Sequence, residues 1–238
     1  MESSLFSTVK VKSEAPAQVD NVRQILPALL EKGLDNINLS MFDESTRVSL
    51  LNAFGDAYVR KGRLPEAMKA FILGGNRSRL TEIGLEYERI GLLSNSVECY
   101  QLAGNTAKLL ELGNRCLSEG KLGDAIKAFM AVNDVGRLSL VGDDCLRKER
   151  YDYAIEVFSA INDKQKLMQV GDRALREHQL AYAAKAFELA GDPVKLSALG
   201  DQCLREGLFS TAYQSYVLAG NEMMAQFVKQ NFGSRLNL

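Results

Sequence analysis

The sequence is poor in the residue types that mark secreted, zinc-binding and membrane-spanning proteins. It has no tryptophan, one histidine and four prolines, and its four cysteines are Cys99, Cys116, Cys145 and Cys203. Because they are far apart and form no Cys-x-x-Cys pair, we expect reduced thiols rather than disulfides or a metal site. No apolar run reaches the length of about 18 residues that a membrane span requires, and no secretory signal is seen. We therefore predict a soluble, intracellular, cytoplasmic protein without membrane insertion.

The sequence also lacks an excess of charge of either sign. Its 29 Lys and Arg residues oppose 30 Asp and Glu residues, which gives a formal net charge of -1. Such a chain has no overall field to attract nucleic acid or anionic lipid, so we do not expect nucleic acid as a partner. The 238 residues, 46% of them hydrophobic, suffice for one large or two small domains with a substantial core.

What the sequence does have is an internal repeat of 29 residues. Glycine recurs at this interval in six units, as Gly55, Gly84, Gly113, Gly142, Gly171 and Gly200. A small residue follows twelve positions later, as Ala67, Ser96, Ala125, Ala154, Ala183 and Ala212. An aromatic residue follows sixteen positions later, as Phe71, Tyr100, Phe129, Phe158, Phe187 and Tyr216. A fixed period of this kind is typical of repeat architectures.

Each unit has the pattern of two helices, which we call helix A and helix B. In the third unit Asn105 is a good N-cap for helix A, and Gly120 is suited to end that helix in a left-handed conformation. Helix B is predicted over 122–132, and Asp134 then caps the next helix A. Pro65 and Pro193 fall in first helical turns, where a missing N–H costs nothing.

The repeated glycine needs a packing reason, because glycine inside a helix costs about 1 kcal/mol relative to alanine. We expect it to allow a close approach of helix B, with the small residue opposite it and the aromatic ring between one hairpin and the next. Since a single hairpin cannot bury that ring, stability should come from the contacts between neighbouring units.

These positions resemble the tetratricopeptide repeat. The resemblance is carried by Gly55, Tyr58, Gly62, Ala67, Phe71 and Gly74, which stand where that family has glycine, aromatic, glycine, alanine, aromatic and alanine. The units here are shorter than the usual length of about 34 residues and lack the closing proline. The resemblance implies an all-α fold, an α-solenoid of stacked antiparallel helical hairpins in a superhelix.

The predicted organisation has four parts. Residues 1–18 read as a flexible N-terminal tail, and 19–48 as a helical segment that forms a degenerate repeat, with Gly33 and Phe42 in register with later units. The six repeats cover 49–225. Residues 226–238 form a C-terminal capping helix and tail, because Lys229 takes the glycine position and prevents close packing of a further helix.

The sequence offers no arrangement of residues that is typical of an enzyme. His178 occupies the helix-ending position that is glycine in four other units, so we interpret it as a turn residue rather than a base. The cysteines at 116, 145 and 203 share one helix-A position and are interpreted as core residues. With no phosphate-binding loop or paired-carboxylate motif, we predict no catalysis, no cofactor and no metal.

Four of the six A helices carry an aspartate that is followed four residues later by an arginine. Such pairs stabilise an exposed helix by about 0.2–0.5 kcal/mol, so that a solvated charged face is one interpretation. The other interpretation follows from the resemblance, in which these positions line a concave groove that binds peptides. The candidate residues are Arg60, Arg89, Asp143, Leu146, Arg147, Asp172, Leu175, Arg176, Asp201, Leu204 and Arg205.

The function predicted from these features is a protein–protein interaction scaffold or adaptor that binds a peptide or partner helix on the concave helix-A face. A clamp for a C-terminal carboxylate is disfavoured, because the family's lysine position holds Asn52, Thr81, Leu110, Ser139, Met168 and Ser197. The alternative is a structural subunit of a larger assembly or a self-associating solenoid. The sequence leaves open the partner, the oligomeric state and the curvature of the stack.

Overall fold

A computed structural model describes residues 25–236, which contain α-helices and short 3-10 helices and no β-strand. The predicted all-α fold class is thus confirmed. The A helices are α1 (Glu44–Arg60), α3 (Arg77–Arg89), α5 (Thr106–Ser118), α7 (Val135–Arg147), α9 (Lys164–Arg176), α11 (Pro193–Arg205) and α13 (Glu222–Phe232). The B helices are α2 (Leu64–Leu73), α4 (Leu93–Ala103), α6 (Leu122–Ala131), α8 (Tyr151–Ala160), α10 (Leu180–Ala190) and α12 (Phe209–Leu218). Across the described range, every helix is too short or too polar to cross a bilayer.

Polar side chains begin the A helices as predicted. The Asp134 carboxylate accepts a hydrogen bond of 2.9 Å from the backbone N–H of Arg137, and the Asn105 amide oxygen accepts one of 3.1 Å from Lys108. These bonds satisfy N–H groups that have no partner inside the helix. Pro65 and Pro193 lie in the first turns of α2 and α11.

Left-handed residues end the helices at two positions of each unit. After the A helices these residues are Gly62, Gly91, Gly120, Glu149, His178 and Gly207, and after the B helices Gly75, Gly104, Asn133, Asn162, Gly191 and Gly220. His178 has φ of 56°, which confirms its interpretation as a turn residue. The connections are therefore short because each helix reverses through one left-handed residue.

The chain forms two compact units, of which the first ends at Lys108 and the second begins at Leu109, inside α5. In the first unit α1 packs on α2, α2 on α3 and α3 on α4. In the second unit each helix from α6 to α13 packs on the next, and α8 also contacts α6 and α10. Within each unit, consecutive antiparallel helices thus stack in the order of the sequence, as in an α-solenoid.

The repeated aromatic ring is fully buried in all six units. A Cβ built on Gly171 would lie 2.4 Å from the Phe187 ring, and one on Gly55 would lie 2.3 Å from the Phe71 ring. The same contact recurs in the other four units. The glycine therefore makes room for the ring of its own hairpin, and the placement of the small residue opposite the glycine stays a prediction.

The leading segment forms half of a repeat. Residues 25–32 are helical, and Gly33 follows with φ of 78°, in register with the glycines that end later A helices. In place of a helix B there are two 3-10 turns, Leu34–Asn36 and Leu39–Met41. The predicted tail, 1–18, lies outside the described residues.

The last helix, α13, has no helix B after it in the described chain. It begins at Glu222, so the predicted capping segment 226–238 starts inside this helix. Phe232 at its end stacks on Phe209 with ring centroids 4.2 Å apart, in the turn where Lys229 takes the glycine position.

Candidate partner-binding surface on the A helices

The predicted arginines project from the C-terminal turns of the A helices and are exposed. The side chains of Arg147 and Arg89 are 74% and 75% exposed. The leucines that precede three of these arginines, Leu146, Leu175 and Leu204, are half-buried and offer apolar surface beside the charges. Arg60 and Arg89 belong to the first compact unit, whereas the other nine candidate residues belong to the second.

The candidate aspartates Asp143, Asp172 and Asp201 do not pair with the arginine four residues later on their own helix. The Asp143 carboxylate instead accepts a hydrogen bond of 2.7 Å from the Lys166 ammonium group on the next A helix. Asp172 accepts one of 2.7 Å from Lys195 in the same way. The predicted Asp-to-Arg pairs within one helix are therefore not formed at these two positions. Each aspartate is instead paired with a lysine in the first turn of the next A helix.

The same cation also lies over the buried ring between the two A helices. The Lys166 ammonium is 6.0 Å from the centroid of Phe158, and the Lys195 ammonium is 5.8 Å from that of Phe187. Attraction between a cation and an aromatic face adds to the ion pair. We call this group of an aspartate, the cation of the next A helix and the ring beneath it a clasp.

A third clasp, in the first unit, consists of Asp56, Arg79 and Phe71. The hydrogen bond to Asp56 is the largest cause that raises the pKa of Arg79. In all three clasps the cation follows the aspartate by 23 residues in the sequence. Sequence reasoning missed this spacing, because it looked for partners four residues away on one helix.

At Asp201, the hydroxyl of the buried Tyr216 ring takes the place that a lysine or arginine has in the three clasps. The position 23 residues later is Met224, and the aspartate accepts a hydrogen bond of 2.6 Å from the Tyr216 hydroxyl instead. Burial, together with this bond, raises the pKa of Tyr216 above its ordinary range. Each of the three candidate aspartates is therefore engaged by a residue other than the arginine of its own helix.

Three of the candidate arginines remain available to a partner. Arg147 has an ion pair of 3.0 Å with Asp144. Within the part of the chain that the structure describes, the guanidinium groups of Arg176 and Arg205 have no ion pair or hydrogen bond, and the same is true of Arg60. The C-terminal ends of α9 and α11 thus present cations whose charge is not neutralised by a bound carboxylate.

The cysteines contribute to the core and not to this surface. All four are buried free thiols. Burial raises the pKa of Cys99 to about 12 and that of Cys203 to about 11. Over residues 25–236, no three His, Cys, Asp or Glu side chains are placed to hold a metal ion together.

No protein-family model matches the sequence, and no curated protein matches it significantly.

Proposed function

We propose that the chain is a protein–protein interaction scaffold or adaptor of the tetratricopeptide type, which binds a peptide or partner helix on the A helices of its second unit. The proposal depends on one observation, the exposed guanidinium groups of Arg176 and Arg205, whose neighbouring aspartates bind other residues. The repeat of glycine and buried ring supports the likeness to that family.

The chemistry of the surface favours an acidic partner segment. Lys195 neutralises Asp172, and the Tyr216 hydroxyl occupies one oxygen of Asp201, which keeps its charge. The guanidinium groups of Arg176 and Arg205 are therefore the groups of this face that are free to bind a carboxylate. Leu175 and Leu204, each half-buried next to an arginine, add apolar contact. Arginine binds carboxylates through paired hydrogen bonds, so a segment with carboxylates and aliphatic side chains complements this face.

The proposal is tested by reversing the two charges. We expect Arg176→Glu with Arg205→Glu to abolish capture of the native partner from lysate, as measured by affinity capture with mass spectrometry. The matched control is Lys127→Glu with Lys185→Glu, which makes the same change of charge on B helices of the same unit. An unchanged set of captured proteins in the arginine variant would reject this surface.

The alternative, a structural or self-associating subunit, stays a prediction. The surface that favours it is the exposed apolar face of α13 with Met223 and Phe227. Light scattering that shows only monomer at high protein concentration would exclude self-association.

A further inference from the structure

Between α5 and α7 there is no clasp of the kind that joins α7 to α9 and α9 to α11. Asn114 takes the position of the aspartate, and Arg137 takes that of the cation, 23 residues later. Instead of lying over the Phe129 ring, the Arg137 guanidinium forms an ion pair with Asp134, the N-cap of its own helix. The Asn114 side chain is exposed.

A pocket of about 350 Å³ lies at this place. Its apolar wall consists of Leu117, Phe129, Leu140 and Val141. The side chain of Leu140 is exposed in the empty pocket, with a residue exposure of 71%. Cavities of this size are at the lower end of the range for ligand sites. We call it the Leu140 pocket.

Leucine at position 140 is not required by the repeat. The corresponding residues of the other A helices are Ala53, Glu82, Glu111, Gln169, Ala198 and Phe227. An exposed aliphatic side chain next to an apolar opening contributes no burial to the folded chain, but a partner that covers it removes its apolar surface from water. The position is therefore suited to contact with a partner rather than to folding.

The charges at the rim indicate the chemistry of that partner. Among the residues that line the pocket, Arg137 and Lys148 are cations and Asp144 is a carboxylate. Beyond the lining, Asp134 pairs with Arg137 and Arg147 pairs with Asp144, so these five linked side chains carry one positive charge in excess. A carboxylate next to the bound side chain would compensate this charge. The exposed Asn114 amide can both donate and accept hydrogen bonds, as a peptide backbone requires.

We propose that the Leu140 pocket binds one large aliphatic or aromatic side chain of a peptide segment that carries a carboxylate within two residues of it. This inference rests on the proposed function, since it names the part of the partner that is recognised. The missing clasp leaves the space that the side chain fills, and the rim cations bind the neighbouring carboxylate.

The test uses the full chain and a phage-displayed library of random linear peptides. We expect the selected peptides to share a large apolar residue with Asp or Glu within two positions. A fluorescein-labelled synthetic form of the selected peptide should bind Leu140→Gln about tenfold more weakly than the original chain, because one apolar contact is lost. The fluorescence anisotropy of the labelled peptide measures this binding.

Two further variants separate loss of the pocket from loss of the fold. Val194→Gln removes a side chain with a residue exposure of 75% from α11, at a position where the preceding unit has Gln165, and should bind as the original chain does. Asn114→Asp supplies the missing carboxylate for Arg137 and should weaken binding without lowering the melting temperature.

The outcomes distinguish this inference from the proposed function. Selection of no peptide, or equal binding to the Leu140→Gln variant, overturns the pocket. If the selected peptide binds Leu140→Gln normally but not Arg176→Glu with Arg205→Glu, the scaffold proposal stands and the pocket proposal fails.

Discussion

At the scale of single residues, burial decides the chemistry of the cysteines. Desolvation is the largest cause that raises the pKa of each thiol above its ordinary value of 9.0. Since only the thiolate is an effective nucleophile, a buried thiol with a raised pKa is inert. The same shift makes the native state less stable as the pH rises above about 9, because the unfolded thiols ionise first.

We expect the native protein to show no rapid reaction with a disulfide reagent such as dithionitrobenzoate at pH 8. In guanidinium chloride all four thiols should react, which provides the internal control for reagent and protein concentration. The measurement is the absorbance of the released thiolate with time. Immediate reaction of one or more thiols in the native protein would contradict their burial.

Single residues also show where the sequence pattern is sufficient for a structural conclusion. The sequence predicts His178 in a turn because four other units have glycine there, and its φ of 56° confirms this. Glu149 has the same conformation with φ of 60°. A left-handed residue is a local requirement of the helix end, so its position can be read without knowledge of the tertiary contacts.

At the scale of the hairpin, the repeated glycine and ring form one structural unit. A methyl group on Gly171 would lie 2.4 Å from the nearest ring atom of Phe187, closer than carbon atoms approach in proteins. Alanine is the better helix former by about 1 kcal/mol, so packing must outweigh that preference for the substitution to destabilise the protein.

We expect Gly171→Ala to lower the free energy of unfolding by about 1–3 kcal/mol, the usual cost of overpacking a core. Phe187→Leu should partly relieve this cost, so that the double variant is more stable than the sum of the two single changes predicts. Urea unfolding of the four proteins measures the coupling.

Gly136→Ala is the control for this cycle, because its added Cβ would have only an ordinary contact of 3.6 Å with an Asp134 oxygen. This control should leave stability unchanged or raise it. Strictly additive effects of the Gly171 and Phe187 changes would show that the glycine does not accommodate the ring.

At the scale of the whole molecule, the local stability of each helix should increase with the number of helices that pack against it. In the second unit α9 and α10 each have neighbours on both sides, whereas α13 packs on α12 and the short turn Gly233–Arg235 that follows it. In repeat arrays the energy of each element depends mainly on contacts with its nearest neighbours, so the terminal elements open first.

We expect backbone amides of α13 to exchange hydrogen for deuterium faster than those of α9 by at least about tenfold, which corresponds to roughly 1.4 kcal/mol of local stability. Hydrogen-exchange mass spectrometry measures both helices in one sample, so α9 serves as the control. Equal protection of the two helices would mean that the second unit unfolds in a single cooperative step.

The sequence alone determined the features that depend on neighbours along the chain. The period of 29 residues, the caps such as Asp134, the left-handed turns and the buried ring all follow from local patterns, because helix formation and hairpin packing use residues close in sequence. Only the tertiary structure decided the partners of Asp143 and Asp172. Each partner is 23 residues away, and that distance closes only when consecutive A helices lie side by side. The Leu140 pocket is visible for the same reason, since a missing contact can be recognised only after the contacts of the neighbouring helices are known.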